Sequence, residues 1–340
     1  MVFEDTGSWM PMDDGTQIYI RRWPAAEGGR AGSGGSSGTR AILHIVHGMA
    51  EHSLRYARLA RRLGEEGIEV WAADQRGHGQ SACDKNDAGK GGLLGHCADG
   101  NGFARVTADI DIINRAIAKE RPGLPVFLMG HSWGSFIAQN YIESFFQPVP
   151  PEVPVQLAGC ILSGTRGPGG MKTSLGLPVM RFLAFVKGSR NGSALARTMA
   201  DGPYNKPFRP NRTNFDWLSR DVEEVDAYIK DPLCGFLCSS GFYRDMIAGL
   251  IRIHRSENLG KISRELPVYV FSGSADPVGE MGESPTALVT LYRSLRLKDL
   301  QFVLYPDARH EALNETNRDE VAGNLLSWLI DHCKIPCKPN

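Results

Sequence analysis

Pro125-Val126-Phe127-Leu128-Met129-Gly130-His131-Ser132-Trp133-Gly134-Ser135-Phe136-Ile137-Ala138-Gln139-Asn140-Tyr141-Ile142 joins three signals in one stretch of chain. A short apolar run of strand length comes first. Gly-x-Ser-x-Gly follows, and then apolar residues recur at helical spacing. Strand, sharp turn and helix form the context in which this motif carries chemistry. The turn holds the serine in a strained backbone conformation and lifts its hydroxyl above the sheet. Gly130 and Gly134 have no side chain to collide with the neighbouring strand and helix. The helix N-terminus just beyond favours negative charge. Ser132 is therefore expected to be a nucleophile; the blander alternative is a strand-to-helix turn that happens to be glycine-rich.

Upstream, Ser8 to Met12 and Gln17 to Trp23 read as strands around the hairpin signal Asp13-Asp14-Gly15. Residues 28–38 are almost all Gly and Ser. They lack the Lys-Ser/Thr ending of a phosphate loop and precede a strand, so they read as a flexible surface loop. Ala41 to Val46 and Ile68 to Ala73 are buried strands, with a helix over Leu54 to Gly64 between them and another over Phe103 to Glu120. Downstream, strands are expected at Leu157 to Leu162, Pro267 to Phe271 and Leu300 to Tyr305, and helices at Pro285 to Leu295 and Asp319 to His332. Strands alternating with helices predict an α/β fold, a mostly parallel central sheet with helices on both faces. The alternation breaks between residues 165 and 262. That stretch has no clear strand but contains helical pieces, Leu177 to Val186 and Phe242 to His254 among them. The expected division is a first part of the core over 1–164, an inserted, mostly helical cap over 165–262, and the rest of the core over 263–340.

Bulk composition narrows the function classes. Among 340 residues, Lys plus Arg and Asp plus Glu are each 38, so no strong field gathers nucleic acid or anionic membrane. The N-terminus lacks the basic and apolar regions of a secretory signal. No apolar stretch reaches the ~18 residues of a membrane span. The seven cysteines, Cys83, Cys97, Cys160, Cys234, Cys238, Cys333 and Cys337, are odd in number and scattered. They suggest reduced thiols in a cytoplasmic protein.

A serine hydroxyl needs a base to take its proton. Of nine histidines, His310 directly follows the last strand, and loops at the carboxyl ends of parallel strands share one crevice with the nucleophile. His131 sits inside the elbow, His332 near the end of the last helix and His254 in the cap. Asp276 follows the strand before, on the same edge, and would fix the tautomer of His310. Asp299 precedes a strand and lies on the wrong edge; Asp307 shares the loop of the histidine. Ser132, Asp276, His310 is the order given for α/β-hydrolases. Oxyanion donors are expected at the backbone N–H of Trp133 and, from the loop His47-Gly48-Met49-Ala50-Glu51-His52, at that of Met49. His44, His47 and His52 lack metal-site spacing, and no dinucleotide fingerprint is present, so neither a metal nor an organic cofactor is expected.

The set His47-Gly48-Met49 with Glu51-His52-Ser53 and Arg55-Tyr56, Asp74-Gln75-Arg76-Gly77-His78-Gly79-Gln80-Ser81, and the Gly130 elbow resembles the monoacylglycerol lipase and lysophospholipase group of α/β-hydrolases, of the serine aminopeptidase S33 type. The resemblance implies the triad Ser132, Asp276 and His310 and an oxyanion hole at Met49 and Trp133. It also implies that Glu51, His52, Arg55 and Tyr56 brace the oxyanion loop. Trp133 stands where the group often has Met and is expected to reshape the acyl pocket.

The leading expectation is a carboxylic ester hydrolase for monoacylglycerols or similar single-chain lipid esters, acting through an acyl-enzyme. A lysophospholipase and a short-chain esterase are close alternatives. A serine aminopeptidase would need an acidic anchor, for which Glu223, Glu224 and Asp226 are available. A catalytically silent relative is disfavoured by the complete triad. Leu175 to Val186 is too apolar for an ordinary surface helix. Leu177, Phe182 and Phe185 are expected to form a lid over the acyl site, with Pro178 in its first turn and at most transient contact with a membrane surface.

Overall fold

The computed structural model describes residues 5–26, 38–83, 92–144 and 156–333. The glycine-serine loop, apart from Gly38, and Cys337 lie outside them. Eight strands form one sheet: β1 (Thr6–Pro11), β2 (Gln17–Trp23), β3 (Ala41–Val46), β4 (Ile68–Asp74), β5 (Val126–His131), β6 (Leu157–Ser163), β7 (Val268–Gly273) and β8 (Leu300–Tyr305). Their spatial order is β1-β2-β4-β3-β5-β6-β7-β8. The β1–β2 and β2–β4 pairs are antiparallel and all others parallel. The chain is an α/β-hydrolase fold.

Eleven helices are described: α1 (Ala57–Glu65), α2 (Gly79–Cys83), α3 (Gly102–Glu120), α4 (Trp133–Ser144), α5 (Gly170–Lys187), α6 (Ala194–Ala200), α7 (Val222–Lys230), α8 (Ser240–Arg252), α9 (Ser256–Leu259), α10 (Glu283–Ser294) and α11 (Arg318–His332). The central strands are buried on both sides, which is why they read as unbroken apolar runs. Leu43 and Ile45 of β3 point into the layer with Leu59, Leu63, Leu325 and Trp328 of α1 and α11. Ile42 and Val46 point into the opposite layer with Ile110, Ile113, Ile137 and Leu288 of α3, α4 and α10. Each aliphatic side chain so buried contributes roughly 1.5–3 kcal/mol.

Between β6 and β7 the described chain forms helices α5 to α9 and adds no strand to the sheet. Met180, Leu183, Ala196, Phe242 and Tyr243 from this segment join the same apolar layer as α3 and α4. Pro178 lies inside α5, whose first residue is Gly170, and not in its first turn. Packing of Met180, Leu183 and Ala184 on the cap side, where α5 meets α8, keeps the helix running through it. Propensity is a weak prior beside such burial.

The order β4-β3-β5 is a topological switch: the chain leaves β3 toward one edge for β4 and lies on its other side as β5. In open parallel sheets the crevice at such a switch, outside the carboxyl ends of the strands, is where ligands bind. The loop after β3 and the elbow after β5 both open there.

Candidate active site

Ser132 has φ of 52°, the left-handed conformation expected of an elbow serine. The flanking glycines are required by close approach. A Cβ on Gly130 would fall on the backbone of Gly134 and Ser135, and one on Gly134 on the carbonyls of Val46 and His47. Trp133 is the first residue of α4, so its N–H has no intrahelical acceptor and remains available to a ligand.

His310 and Asp276 meet after β8 and β7. His310 Nδ1 lies 3.0 Å from both Asp276 oxygens, and the carboxylate also accepts from Val278 N at 2.8 Å and Ser272 Oγ at 3.2 Å. Both side chains are buried. Burial by itself would lower the imidazole, but the Asp276 charge and hydrogen bond outweigh it, and His310 titrates above the ordinary histidine value. Burial would raise Asp276; the His310 ring and the Val278 amide overcome this and hold it ionised. Nδ1 is thus committed to Asp276, leaving Nε2 as the ring nitrogen not bonded to it. His131, whose ring centroid is 4.9 Å from that of His310, is pushed down to about 4 by burial and by the His310 charge, so it stays neutral.

Ser132, His310, Gly48 and Met49 line one cavity of about 40 Å³ together with His131, Glu51, Glu311, Arg197, Asp201 and the rings of Phe215, Trp217, Tyr228, Phe236 and Tyr243. It has room for a few water molecules but not for a long acyl chain, so substrate entry requires movement of cap side chains. Of the four residues expected to brace the loop after β3, Glu51, Arg55 and Tyr56 are bonded to it or to one another. Glu51 accepts from Gly48 N at 2.5 Å and Tyr56 Oη at 3.0 Å. Arg55 donates to Glu51 at 2.7 Å and, bidentately, to Glu311 at 2.6 and 2.7 Å. This buried chain ties the oxyanion loop to the residue after His310. His52 Nε2 reaches Asp231 of the cap at 2.8 Å.

His47 and Gln75 of the loop motifs anchor one another. His47 accepts from Gln75 N at 2.9 Å, and Gln75 Nε2 donates to the His47 carbonyl at 2.6 Å. Gln75 Oε1 in turn accepts from Trp133 Nε1 at 2.9 Å. The Trp133 ring packs between Phe103 and Phe242. It therefore fills an apolar layer with α3 and α8 and is not among the residues that line the cavity.

Leu177 is half-buried, and Phe182 and Phe185 are 64% and 86% exposed; none of the three lines the cavity at Ser132. The candidate acidic anchors are also elsewhere. Glu224 pairs with Arg58 at 2.5 Å and Asp226 with Arg212 at 2.7 Å, while Glu223 is exposed. His332 is not exposed as its helix-end position suggests; it stacks on Trp328 and bonds Asp299 at 3.0 Å. Sequence reasoning missed Arg197 and Asp201, which reach the cavity from α6 and the residue after it. An Arg-x-x-x-Asp pair on a short cap helix carries no motif; its tertiary position alone distinguishes it.

For a metal, the one cluster of suitable side chains among the described residues is His52, Asp231 and Cys234, whose ligand atoms lie within 4.8 Å of one another. Burial pushes the Cys234 thiol up, so it stays protonated, and His52 Nε2 is already bonded to Asp231. That set reads as a strut between cap and oxyanion loop.

Residues 37–317 match the family model described as serine aminopeptidase, S33. The chain belongs to this family of serine hydrolases. Within it, the chain is similar to a monoglyceride lipase homolog of Monkeypox virus, at 34% identity over 87% of this chain and 91% of the relative. It is similar to a monoacylglycerol lipase of Mycolicibacterium smegmatis at 28% identity, covering 86% of this chain and 89% of the relative. Among solved structures, a thermostable carboxyl esterase from Bacillus coagulans in complex with glycerol superposes with a TM-score of 0.80 at 25% identity, over 98% of this chain and 99% of that one.

Proposed function

We propose that the protein is a serine carboxylic ester hydrolase acting on monoacylglycerols or similar single-chain lipid esters. The observation that carries this reading is the seating of His310 Nδ1 3.0 Å from both Asp276 oxygens, in one cavity with a left-handed Ser132. Ser132 Oγ attacks the ester carbonyl while His310 Nε2 takes its proton. Asp276 stabilises the imidazolium, and the N–H groups of Met49 and Trp133 receive the developing oxyanion, at roughly 3 kcal/mol per donor. His310 then protonates the leaving alcohol, and water resolves the acyl-enzyme by the same route.

The lipid assignment is supported by the two relatives whose names are those of monoglyceride lipases and by the outer face of α5. Leu175, Val179, Phe182, Phe185 and Val186 stand exposed there, while Met180, Leu183 and Ala184 face inward. An apolar stripe of this kind with Arg181 and Lys187 at its margin fits shallow contact with a lipid surface. No described helix is long and apolar enough to cross a membrane. A cytoplasmic location belongs to the same reading and is supported by the free thiols of Cys97, Cys160, Cys234, Cys238 and Cys333.

The test is a series of p-nitrophenyl esters and monoacylglycerols of rising chain length. Each buried CH₂ contributes about 0.8 kcal/mol, so kcat/KM should climb by orders of magnitude from acetate to medium chains. A preference for acetate would leave a short-chain esterase, and turnover of amino-acid anilides without esters would leave an aminopeptidase.

A further inference from the structure

Four charged residues other than the triad and its neighbour His131 line the cavity at Ser132: Glu51, Glu311, Arg197 and Asp201. Two of them have no capacity to spare. Glu51 accepts from Gly48, Tyr56 and Arg55, and Glu311 from both arms of Arg55 and from Asn314. Arg197 and Asp201 differ. Their ion pair is long, Nε to Oδ2 at 3.6 Å. The Arg197 guanidinium rests 5.5 Å above the Phe215 ring, itself part of the cavity wall. The Asp201 side chain is 14% exposed and that of Arg197 32%. A carboxylate so enclosed is costly unless its acceptor positions are filled. Burial accordingly raises the carboxyl above its ordinary value despite the arginine.

We propose that Arg197 and Asp201 form a hydroxyl clamp that selects esters whose leaving alcohol is a vicinal diol. The inference rests on the ester-hydrolase reading of the same cavity. A hydroxyl both donates and accepts. Two adjacent hydroxyls can donate to the Asp201 carboxylate while one accepts from Arg197, filling the gap that the 3.6 Å separation leaves. A simple alkyl alcohol offers neither group and leaves only the long 3.6 Å ion pair between them. An ammonium would satisfy Asp201 but would lie beside the Arg197 cation, so the pair favours a neutral polyol over an amine.

The test compares 1-monolauroylglycerol with methyl laurate, which share an acyl chain and differ in the leaving alcohol, for wild type, Asp201→Asn and Arg197→Gln. Wild type should prefer the glyceryl ester. In each folded variant the ratio of kcat/KM for the glyceryl over the methyl ester should fall about tenfold or more, mainly through KM, since a charged hydrogen-bonding partner has been removed. Arg197→Gln supplies the result if the more buried Asp201→Asn melts early. A ratio that stays within about twofold of wild type in the folded variants overturns the clamp. Wild type that hydrolyses methyl laurate as well as the glyceryl ester overturns the clamp while leaving an ester hydrolase. Wild type that hydrolyses neither removes the ester-hydrolase reading and the clamp with it.

Discussion

The cavity above Ser132 and the outer face of α5 are both rich in aromatic rings, yet they use them in opposite ways. Around the cavity, Phe215, Trp217, Tyr228, Phe236 and Tyr243 wall in a small space where several polar groups, though not Arg197 and Asp201, are fixed by bonds between distant parts of the chain. Arg55 to Glu311 and His310 to Asp276 are two of these. On α5, Phe182 and Phe185 face solvent with nothing described across from them. Apolar residue type alone therefore does not mark a substrate site. What distinguishes the cavity is converging polar groups with single geometries; what distinguishes the α5 face is apolar area that the fold leaves uncovered.

The largest expected effect lies on the cavity side. Asp276→Asn should lower kcat/KM on p-nitrophenyl butyrate by about 10⁴-fold, because the wrong tautomer of His310 then faces Ser132. It should also change the pH profile. His310 is held above the ordinary histidine range near 6.5, so wild-type activity should climb with pH through that raised value as the base loses its proton. Without the aspartate charge the inflection should move to lower pH; an inflection that stays in place would mean Asp276 does not tune this base. The signs for stability follow from the same pair. The histidine's contribution is present at low pH and is lost as pH rises through its raised value. The aspartate's is present at neutral pH and is lost as pH falls through its lowered one.

A smaller effect belongs to the α5 face. Phe182→Asp with Phe185→Asp should reduce turnover of long-chain monoacylglycerol presented in vesicles at least about tenfold more than turnover of p-nitrophenyl acetate, since charge opposes burial at a lipid surface. Equal losses on both substrates would place these rings in the chemistry and erase the contrast between the two regions.

The smallest effect is on stability, away from both regions. Glu143, on α4, is buried with neither carboxyl oxygen hydrogen-bonded, and burial pushes it up to about 9, with Arg252 and Lys261 opposing only in part. The folded state thus holds a proton that the unfolded chain loses near 4.3, so stability falls as pH rises between that value and about 9. Glu143→Gln should raise the melting temperature more at pH 8.5 than at pH 5. A constant difference would show that Glu143 is ionised throughout.

The legible part of the molecule was that in which local pattern and global role agree. β2, β3 and β8 match their expected bounds, and Asp276 and His310 meet as chain order at the carboxyl edge required. The elbow was legible because Gly130 and Gly134 answer to backbone contacts that the motif itself implies. The cap was not. Its helices carry no period that says which face is covered, so the sequence does not tell that Phe182 and Phe185 stand exposed while Met180 and Leu183 face inward. Arg197 and Asp201 gain their meaning only where the cap folds over Ser132. Pro178 is the same lesson in miniature: a local rule placed it at a helix start, and packing against α8 carried the helix past it.

The central claim is that Ser132 is the single covalent nucleophile. Treating the intact protein with a fluorophosphonate and mapping the modified peptide by mass spectrometry tests it directly. One adduct, on the peptide containing Gly130-His131-Ser132-Trp133-Gly134, with loss of ester turnover in proportion to labelling and no adduct in folded Ser132→Ala, is the predicted result. An adduct on another residue, or Ser132→Ala that still labels and turns over ester, would contradict it.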